Sequence, residues 1–500
     1  MEKRTFKFLI AFGLTTACAF AQQPPSAVDS QQLPSHVQRL NRVPVNPEIL
    51  KVKLPHPTEV RLPNGLTILI LERHKLPTVS FSLWIKSGAL SDPKNMPGLA
   101  SFTADLLRDG TGKRSTSQIA TELDELGATF NAGAGFASNL TNINASGLSD
   151  SADKLMDLMS DIVLNPSFPA DELERFVRRE KTALVQARTN PGFLARERFN
   201  RAVYGDFPAA ILSTTTDSLQ KATPAALKGF HDTYYAPNNA ILGIAGDITP
   251  LQATALARKY FGKWTNHPVP AAPATIVAGP SAKKIYLVDR PGSVQSNILA
   301  GGLSLRRSDP DYIPLEIANR VLGGGSAARL FMNLREEKGY TYGAYSRVSS
   351  NIYPGTLVAN TEVRNNVTDG SLHELMYELQ RLRDQRVPQA ELADAKRSIV
   401  SSFALSLENP AAVINRWMDV KYYGLPADYW DHYSEQVALV NAETVQRMAR
   451  KYVNLDRLQI VVVGDAKEVH TAVEKYGAVE MYDAEGKPVA AKPEPASGTK

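Results

Sequence analysis

The sequence predicts an α+β fold made by tandem duplication of two similar halves, each a β-sheet with helices packed on one face. The duplication is visible because short features recur at a separation of 219 residues (388 − 169, 409 − 190 and 423 − 204). The recurring features are a proline that opens an amphipathic stretch (169 and 388), an Asn-Pro pair (190 and 409) and a Tyr-Gly pair (204 and 423). An apolar strand ending in Gly-Asp recurs at nearly the same separation (465 − 247 = 218). Repeated features at one spacing indicate a duplicated structural unit.

Hydrophobic periodicity within the first half predicts both kinds of element. Residues 66–72 and 78–85 are apolar segments of strand length, and residues 129–148 alternate as strands do. Ser115 and Gln118 form a capping box that begins a helix, which Gly127 ends. Helical periodicity then continues from 151 to about 202. Strands grouped before long helices favour layered α+β halves.

Composition and punctuation define the domain plan. Hydrophobic residues make up 43% and charged residues 21% of the chain, as in globular proteins. The net charge is +5 with both signs interspersed, so no basic stripe indicates nucleic-acid binding. The predicted segments are a signal peptide (1–21), a Pro/Gln-rich extended lead-in (22–56), a first domain (57–266), a Pro/Ala linker (267–280), a second domain (281–475) and a flexible tail (476–500).

The first residues have the layout of a secretory signal peptide. Basic residues at positions 3, 4 and 7 precede an apolar run from 8 to 20, and a small-x-small cleavage site ends at Ala21. We therefore expect an exported, periplasmic protein whose mature chain has no transmembrane segment. Lipoprotein processing at Cys18, the single cysteine, is disfavoured because Thr15 stands where an aliphatic residue is preferred.

Residues 98–111 resemble the signature segment of the pitrilysin/insulinase metallopeptidase family, G-x-A-H-x-x-E-H followed by an apolar turn and G-T. In active members the two histidines bind zinc and the glutamate activates water. Here these three positions are Ser101, Ala104 and Asp105, and the distal glutamate ligand is replaced by Ala183. The resemblance therefore implies a degenerate site, with no metal or cofactor bound by this chain.

Residues 329–342 resemble a second element of that family, R-L-F-x-x-L-R-E-x-x-G-x-x-Y. The resemblance implies that Arg335 and Tyr342 bind the substrate carbonyl and stabilise the oxyanion of the transition state. The alternative from the residues alone is that Arg335 pairs with Glu336 and Tyr342 is an ordinary strand aromatic.

Two further segments resemble family elements that contact peptides. They are the glycine-rich loop Gly323-Gly324-Gly325 and the pair Asn131-Ala132 after a phenylalanine. Glycines allow close backbone approach where a peptide passes, although a plain turn accounts for them equally well.

The loss of the zinc motif together with the retained Arg/Tyr motif is similar to the non-catalytic chain of two-chain family members, such as the mitochondrial processing peptidase. The resemblance implies LuxS/metallohydrolase-like halves, with two chains closing like a clam shell around an unfolded peptide. We expect a substrate-binding subunit of an exported heterodimeric zinc endopeptidase, not catalytic alone, whose partner carries HxxEH and the zinc. The alternatives are a peptide-binding or scaffold protein without a role in hydrolysis, and an active zinc peptidase with unrecognised ligands.

Overall fold

The computed structural model describes residues 48–272 and 277–489. The predicted signal peptide, its cleavage site and Cys18 lie outside the described residues. No helix within the described ranges is both long enough and apolar enough to cross a bilayer.

The first half consists of six strands and eight helices in the described part of the chain. Its strands are Thr58–Arg61 (β1), Thr67–Glu72 (β2), Thr78–Ile85 (β3), Thr129–Ala134 (β4), Thr141–Leu148 (β5) and Ala240–Gly246 (β6). Its helices are Leu99–Asp105 (α1), Thr116–Glu125 (α2), Ala152–Leu164 (α3), Ala170–Thr189 (α4), Pro191–Tyr204 (α5), Thr216–Lys221 (α6), Pro224–Tyr234 (α7) and Pro250–Phe261 (α8).

The second half repeats this plan. Its strands are Lys284–Asp289 (β7), Gln295–Leu303 (β8), Thr341–Val348 (β9), Thr356–Arg364 (β10), Gln459–Gly464 (β11) and Val479–Tyr482 (β12). Its helices are Tyr312–Leu322 (α9), Arg329–Phe331 (α10), Thr368–Asp384 (α11), Gln389–Ser406 (α12), Pro410–Tyr423 (α13), Tyr433–Leu439 (α14), Ala442–Tyr452 (α15) and Ala466–Glu474 (α16).

The strand order confirms the predicted duplication. The first sheet runs β1-β2-β6-β3-β5-β4 and the second runs β12-β7-β11-β8-β10-β9. Five consecutive positions correspond in order and direction: one parallel pair (β2–β6 and β7–β11) is followed by three antiparallel pairs. The order leaves β4 and β9 as equivalent outer strands.

The opposite edges of the two sheets differ and correct one predicted boundary. In the first sheet β1 pairs antiparallel with β2, whereas in the second β12 pairs in parallel with β7. The second domain therefore extends beyond residue 475, and the segment 479–482 belongs to the sheet instead of to a flexible tail. This short strand forms its ladder with β7, a partner far away in sequence, and Met481 also accepts a backbone hydrogen bond from Val489 at 2.9 Å.

The repeated sequence features mark the helix ends. Asn190 accepts a hydrogen bond from the N–H of Phe193 at the start of α5, and Asn409 accepts one from Ala411 at the start of α13. Gly205 and Gly424 end the two helices with φ of 56° and 64°, a region that glycine adopts without steric cost. The two helices are therefore equivalent in the duplication.

These equivalent helices are exchanged between the halves. Residues of α13, including Ile414 and Trp417, share a hydrophobic core with Leu69, Leu71 and Trp84 of the first sheet. Residues of α5 pack in turn against the second sheet, where Phe199 and Val203 share a core with Val461 and Val463 of β11 and Tyr286 of β7. Each half's own helices cover one face of its sheet, as predicted, and the exchanged helix covers the other face.

The end of the predicted lead-in packs against the second half. Leu54 is buried in the same core as α13, and the indole N–H of Trp417 donates to the carbonyl oxygen of Pro55 at 3.0 Å. His56 contacts Asp431 at 2.9 Å. Residues 52–56 thus have no helix or strand, but they are held by tertiary contacts that Pro/Gln-rich composition does not indicate.

Candidate functional site

The signature helix α1 is anchored at its first turn by a carboxylate. Asp92 accepts hydrogen bonds from the backbone N–H groups of Gly98 (2.7 Å) and Ala100 (2.8 Å), donors that a helix start leaves without intrahelical partners. Burial raises the pKa of Asp92 to about 7, although these two hydrogen bonds oppose the shift. This carboxylate orients the face of α1 that carries Ser101 and Asp105.

Two of the degenerate motif positions do meet on one face of α1. The Ser101 hydroxyl donates to a carboxylate oxygen of Asp105 at 3.2 Å, four residues along the helix. Solvent reaches the Asp105 side chain, yet protein atoms surround the carboxylate closely enough that dehydration raises its pKa to about 6. Glu180 on α4 adds repulsion, and Arg179 opposes it.

The other two positions cannot supply ligands. Ala104 is fully buried in the core, and Ala183 is an exposed residue of α4 with no donor atom in its side chain. Within the described ranges no group of three or more His, Cys, Asp or Glu residues has a spacing that could hold a metal ion. A hydroxyl and one carboxylate do not fit the nitrogen, sulfur and carboxylate ligation that zinc requires. The arrangement can exchange a proton at Asp105 but does not fit zinc.

The second motif begins with a structural arginine. Arg329 is buried and forms two hydrogen bonds to Glu391 at the start of α12, at 2.7 and 2.8 Å. The first arginine of the R-L-F motif therefore holds α10 in place and takes no part in the site.

Arg335 lies on a π-type turn, Met332–Glu337, that continues α10. Its guanidinium group pairs with Glu336 and lies 5.1 Å from the ring centre of Phe331. The side chain is 44% exposed, so the pair is a surface ion pair of little stability, and another acceptor can replace Glu336. The structure therefore contains the Arg335–Glu336 ion pair that the alternative interpretation expects. Because the pair is exposed, the guanidinium can still bind another acceptor.

A β-bulge turns Tyr342 out of the sheet. Thr361 pairs with Ala344 and Val363 pairs with Thr341, so two residues of β9, Tyr342 and Gly343, oppose one residue of β10. The Thr341 hydroxyl fixes the bulge by accepting the N–H of Gly343 (3.0 Å) and lying 2.7 Å from the Glu362 carbonyl oxygen. Bulges redirect side chains at sheet edges, and Tyr342 is 92% exposed.

Sequence reasoning missed two residues that complete this surface. The ring of Phe331 lies 5.7 Å from that of Tyr345, and the opposite contact of Phe331 is with Arg335. Tyr345 is itself exposed. Phe331 thus joins the helix that carries Arg335 to the strand that carries Tyr342. The available signal was the pair of aromatic residues Tyr342 and Tyr345 on a strand that begins at Thr341, within the motif.

The two groups of predicted residues occupy separate neighbourhoods. Among the described residues, no hydrogen bond or ion pair joins Ser101 or Asp105 to Arg335 or Tyr342. The contacts of the former lie within α1 and α4, and those of the latter lie between α10 and β9.

The glycine-rich loop packs inside the chain. The carbonyl oxygen of Gly323 accepts the N–H of Ser346 at 2.9 Å, on the side of β9 that faces away from β10. A Cβ at Gly323 would lie 2.3 Å from that nitrogen, and a Cβ at Gly324 would lie 2.8 Å from Cα of Arg320. These two glycines therefore serve close intramolecular approach, and a peptide-binding role for Gly323, Gly324 and Gly325 stays a prediction.

Asn131 and Ala132 lie on β4, the outer strand of the first sheet. Asn131 is exposed and Ala132 is partly exposed. No backbone hydrogen bond in the described part of the chain reaches the free side of residues 129–134. The first sheet thus has an open edge at the predicted position, whereas the equivalent edge of β9 is occupied at Ser346.

Comparisons with known proteins agree with this fold and these motifs. Residues 67–210 match the sequence profile of "Insulinase (Peptidase family M16)", and residues 221–399 match that of "Peptidase M16 inactive domain". The chain belongs to the insulinase (M16) peptidase family.

Relatives of the chain include proteins named as uncharacterized zinc proteases. An uncharacterized zinc protease of Mycobacterium leprae is 26% identical over 79% of this chain and 88% of its own length. An uncharacterized zinc protease of Bacillus subtilis, YmxG, is 23% identical over 78% of this chain and 93% of its own.

Solved structures extend the similarity to three dimensions. A peptidase M16 inactive domain from Pseudomonas fluorescens is 28% identical, with a TM-score of 0.77, and covers 82% of this chain and 98% of that one. A protease from Helicobacter pylori, 20% identical with a TM-score of 0.76, covers 82% and 100% and shows the shared fold. The inactive-domain match and fold indicate a non-catalytic family member.

Proposed function

We propose that this chain is the non-catalytic, peptide-binding subunit of an exported two-chain zinc endopeptidase. The observation that carries the proposal is the bulge that presents Tyr342 beside the turn bearing Arg335, in a chain whose own signature helix has Ser101 and Asp105 where zinc ligands would stand. The HxxEH site and its zinc would belong to the partner chain. Export is supported by the signal-like residues 1–21.

Peptide binding would use two outer edges, the open edge of the first sheet and the start of β9 before Ser346. An extended peptide can pair with β4 through main-chain hydrogen bonds, because the outer side of that strand has no backbone partner among the described residues. Asn131 and Ala132 would lie beside alternate side chains of such a peptide.

Arg335 and Tyr342 would act on the carbonyl oxygen of the bond being cleaved. The partner's zinc supplies a polarised water and Lewis acidity. In this chain, the Arg335 guanidinium would leave Glu336 and bind the developing oxyanion, while the contact with Phe331 keeps the guanidinium plane in place. The Tyr342 hydroxyl would donate a second hydrogen bond to the oxyanion. A donor of this kind lowers the barrier by about 3–4 kcal/mol. Since the existing ion pair is exposed, breaking it costs little.

The deciding experiment uses the assembled pair of chains. Arg335→Ala should lower kcat while the two chains still elute together, and Glu336→Gln, which removes only the competing carboxylate, should keep or raise activity. Full activity of the Arg335→Ala assembly would rule out the oxyanion role.

A second candidate is a peptide-binding or scaffold protein without a role in hydrolysis. It is favoured by the Arg335–Glu336 pair, which satisfies the guanidinium within the chain. It predicts stable binding of partners or peptides, and no activity with an HxxEH chain. An active zinc peptidase with unrecognised ligands has no support in the described ranges, where no metal-spaced cluster occurs.

A further inference from the structure

A cavity of about 380 Å³ opens in the second half, among α9, α12, α13 and β9. Its charged lining consists of the guanidinium groups of Arg320, Arg347 and Arg416 and the carboxyl group of Glu316. Three cations against one acid give the cavity a positive balance, and this pattern favours an anionic occupant.

Two of these guanidinium groups, those of Arg320 and Arg416, donate to neutral acceptors. Arg320 donates to the carbonyl oxygen of Gly324 and to a serine hydroxyl, and Arg416 donates to the hydroxyl of Ser406 at 3.0 Å. The Nε of Arg416 is buried without a hydrogen-bond partner. Within the described ranges no carboxylate oxygen lies within 4.0 Å of a guanidinium nitrogen of Arg320, Arg347 or Arg416.

Arg416 is fixed in position before any ligand arrives. Its guanidinium lies 4.9 Å from the ring centres of both Phe403 and Trp430. Burial also raises the pKa of Glu316, the one acid of the lining, to about 6, against the influence of Arg307. A cation held in this way is suited to binding a carboxylate, because little side-chain entropy is lost on binding.

The duplication shows which part of the first half corresponds to this cavity. Residues 101–107 of α1 and 316–322 of α9 have the same order of buried positions, with the first and fifth residues at least partly exposed and buried residues elsewhere. At a separation of 215 residues (316 − 101), Ser101, Ala104 and Asp105 correspond to Glu316, Asn319 and Arg320, and at 219 residues Ala183 corresponds to Ser402. All four corresponding residues of the second half line the cavity. The cavity is the second half's counterpart of the degenerate metal position.

The cavity mouth lies where the free edge of β9 is blocked. Because Gly323 occupies the N–H of Ser346, a peptide paired with the exposed start of β9 has to leave the edge there. Gly324 and Arg347 border the cavity at this point. A charged group on such a peptide therefore meets the guanidinium cluster directly.

We propose that this cavity binds a carboxylate of an extended peptide, supplied either by the C-terminus or by an Asp or Glu side chain. The proposal deepens, and rests on, the peptide-binding role proposed above. It names the substrate class as extended peptides that pair with β9 and carry an acidic group where the peptide leaves that strand.

The test measures binding to the purified mature chain alone by fluorescence anisotropy. Labelled unstructured peptides of one sequence are compared with a free or amidated C-terminus and with Asp or Asn at one interior position. At fixed ionic strength, a carboxylate-bearing form should bind about tenfold more tightly than the amidated Asn form. The comparison of the singly charged forms identifies the source of the carboxylate.

Two variants of opposite sign separate binding from a structural role. Arg347→Gln should abolish most of the preference for charged peptides, and Glu316→Gln should strengthen binding of the same peptides because it removes the only repulsive group of the lining. Arg364→Gln, at an exposed position on the neighbouring strand, serves as the matched control and should change nothing. Loss of structure cannot produce this pair of opposite effects.

Equal affinities for charged and neutral peptides would overturn this proposal and leave the peptide-binding role intact. Failure of all four peptides to bind would overturn both. An unchanged preference in Arg347→Gln together with an unchanged affinity in Glu316→Gln would also contradict the assignment of the cavity.

Discussion

Met418 on α13 lies directly against Gly243 on β6, so that a Cβ at residue 243 would approach the Sδ atom of Met418 to 2.5 Å and Ile414 Cγ1 to 3.1 Å. The contact joins a helix of the second half to the central part of the first sheet. Its closeness means that the exchanged helix rests on the sheet backbone itself at this point.

Replacement of Gly243 by Val should therefore destabilise the whole chain. The added side chain overpacks a buried contact, for which we expect a loss of about 1–3 kcal/mol in the free energy of unfolding. Urea denaturation followed by circular dichroism measures the change. Gly302→Ala on β8 is the matched control, since a Cβ there meets no atom within 4 Å. Equal stability of the Gly243→Val and wild-type chains would contradict the close packing of α13.

The halves should not fold when they are separated. A fragment of residues 48–272 lacks α13 and exposes Leu69, Leu71 and Trp84, and a fragment of residues 277–489 lacks α5. We expect each fragment alone to aggregate or to show poor amide dispersion by nuclear magnetic resonance. Co-expression should produce a soluble complex with a native-like spectrum. A well-dispersed spectrum from either isolated fragment would refute the requirement for exchange.

Arg335→Ala is expected to lower kcat of the two-chain assembly by about 10²–10³-fold, because it removes one donor to the oxyanion. Tyr342→Phe should have a similar but smaller effect, as only the hydroxyl is lost. Co-elution of the two chains on size exclusion verifies that assembly is unchanged. A rise in KM at constant kcat would instead assign both residues to substrate binding.

Asp105 should make stability depend on pH. Its pKa is raised in the folded chain to about 6, so the folded state holds the proton between about pH 4 and pH 6 while the unfolded state releases it. Stability should consequently fall as the pH rises through this window. Asp105→Asn should remove the part of this dependence that Asp105 contributes, while Asp92 and Glu316, whose pKa values burial also raises, keep theirs. The change should stabilise the chain above pH 6 by about 1 kcal/mol or less, given solvent screening. Asp124→Asn, an exposed change on α2, is the control, and thermal unfolding at pH 4.5 and pH 7.5 distinguishes the two variants.

Zinc content tests the degenerate motif directly. After incubation with zinc and desalting, the purified chain should contain far less than one equivalent by mass spectrometry of the metal. The combined changes Ser101→His, Asp105→His and Ala183→Glu restore two ligands one helical turn apart and a third on α4, and should produce binding near one equivalent. One zinc per unmodified chain would mean that the motif alignment is wrong.

The duplication and the individual elements could be predicted from sequence because they depend on local chemistry. The capping box of Ser115 and Gln118, for example, is present as predicted, with reciprocal hydrogen bonds at 3.3 and 2.8 Å. The separation of 219 residues by itself marks α5 and α13 as equivalent helices. Hydrophobic periodicity shows that one face of a helix is apolar. It does not show which of the two sheets that face packs against, so the exchange of the two helices could not be predicted.

The site was predictable in its residue types but not in its geometry. A bulge at Tyr342 arises from the register between β9 and β10, which the motif itself does not encode. The contacts of Phe331 with Arg335 and Tyr345 depend on the same register. The sequence could not distinguish a peptide-binding role of the glycine-rich loop from a structural one, because a close contact within the chain also requires glycine. Gly323 makes such a contact with the backbone of Ser346.

The exchange of α5 and α13 bears on the ancestry of the molecule. An ancestral half on its own would have had one sheet face without a covering helix, and one helix whose apolar face had no sheet within the same half to pack against. Two identical copies could have solved both problems by trading that helix across a twofold axis, because a symmetric trade satisfies each copy equally. The present chain then corresponds to a fused dimer whose two halves were free to diverge, so that one carries the Arg335 motif and the other has Ser101 and Asp105 on α1.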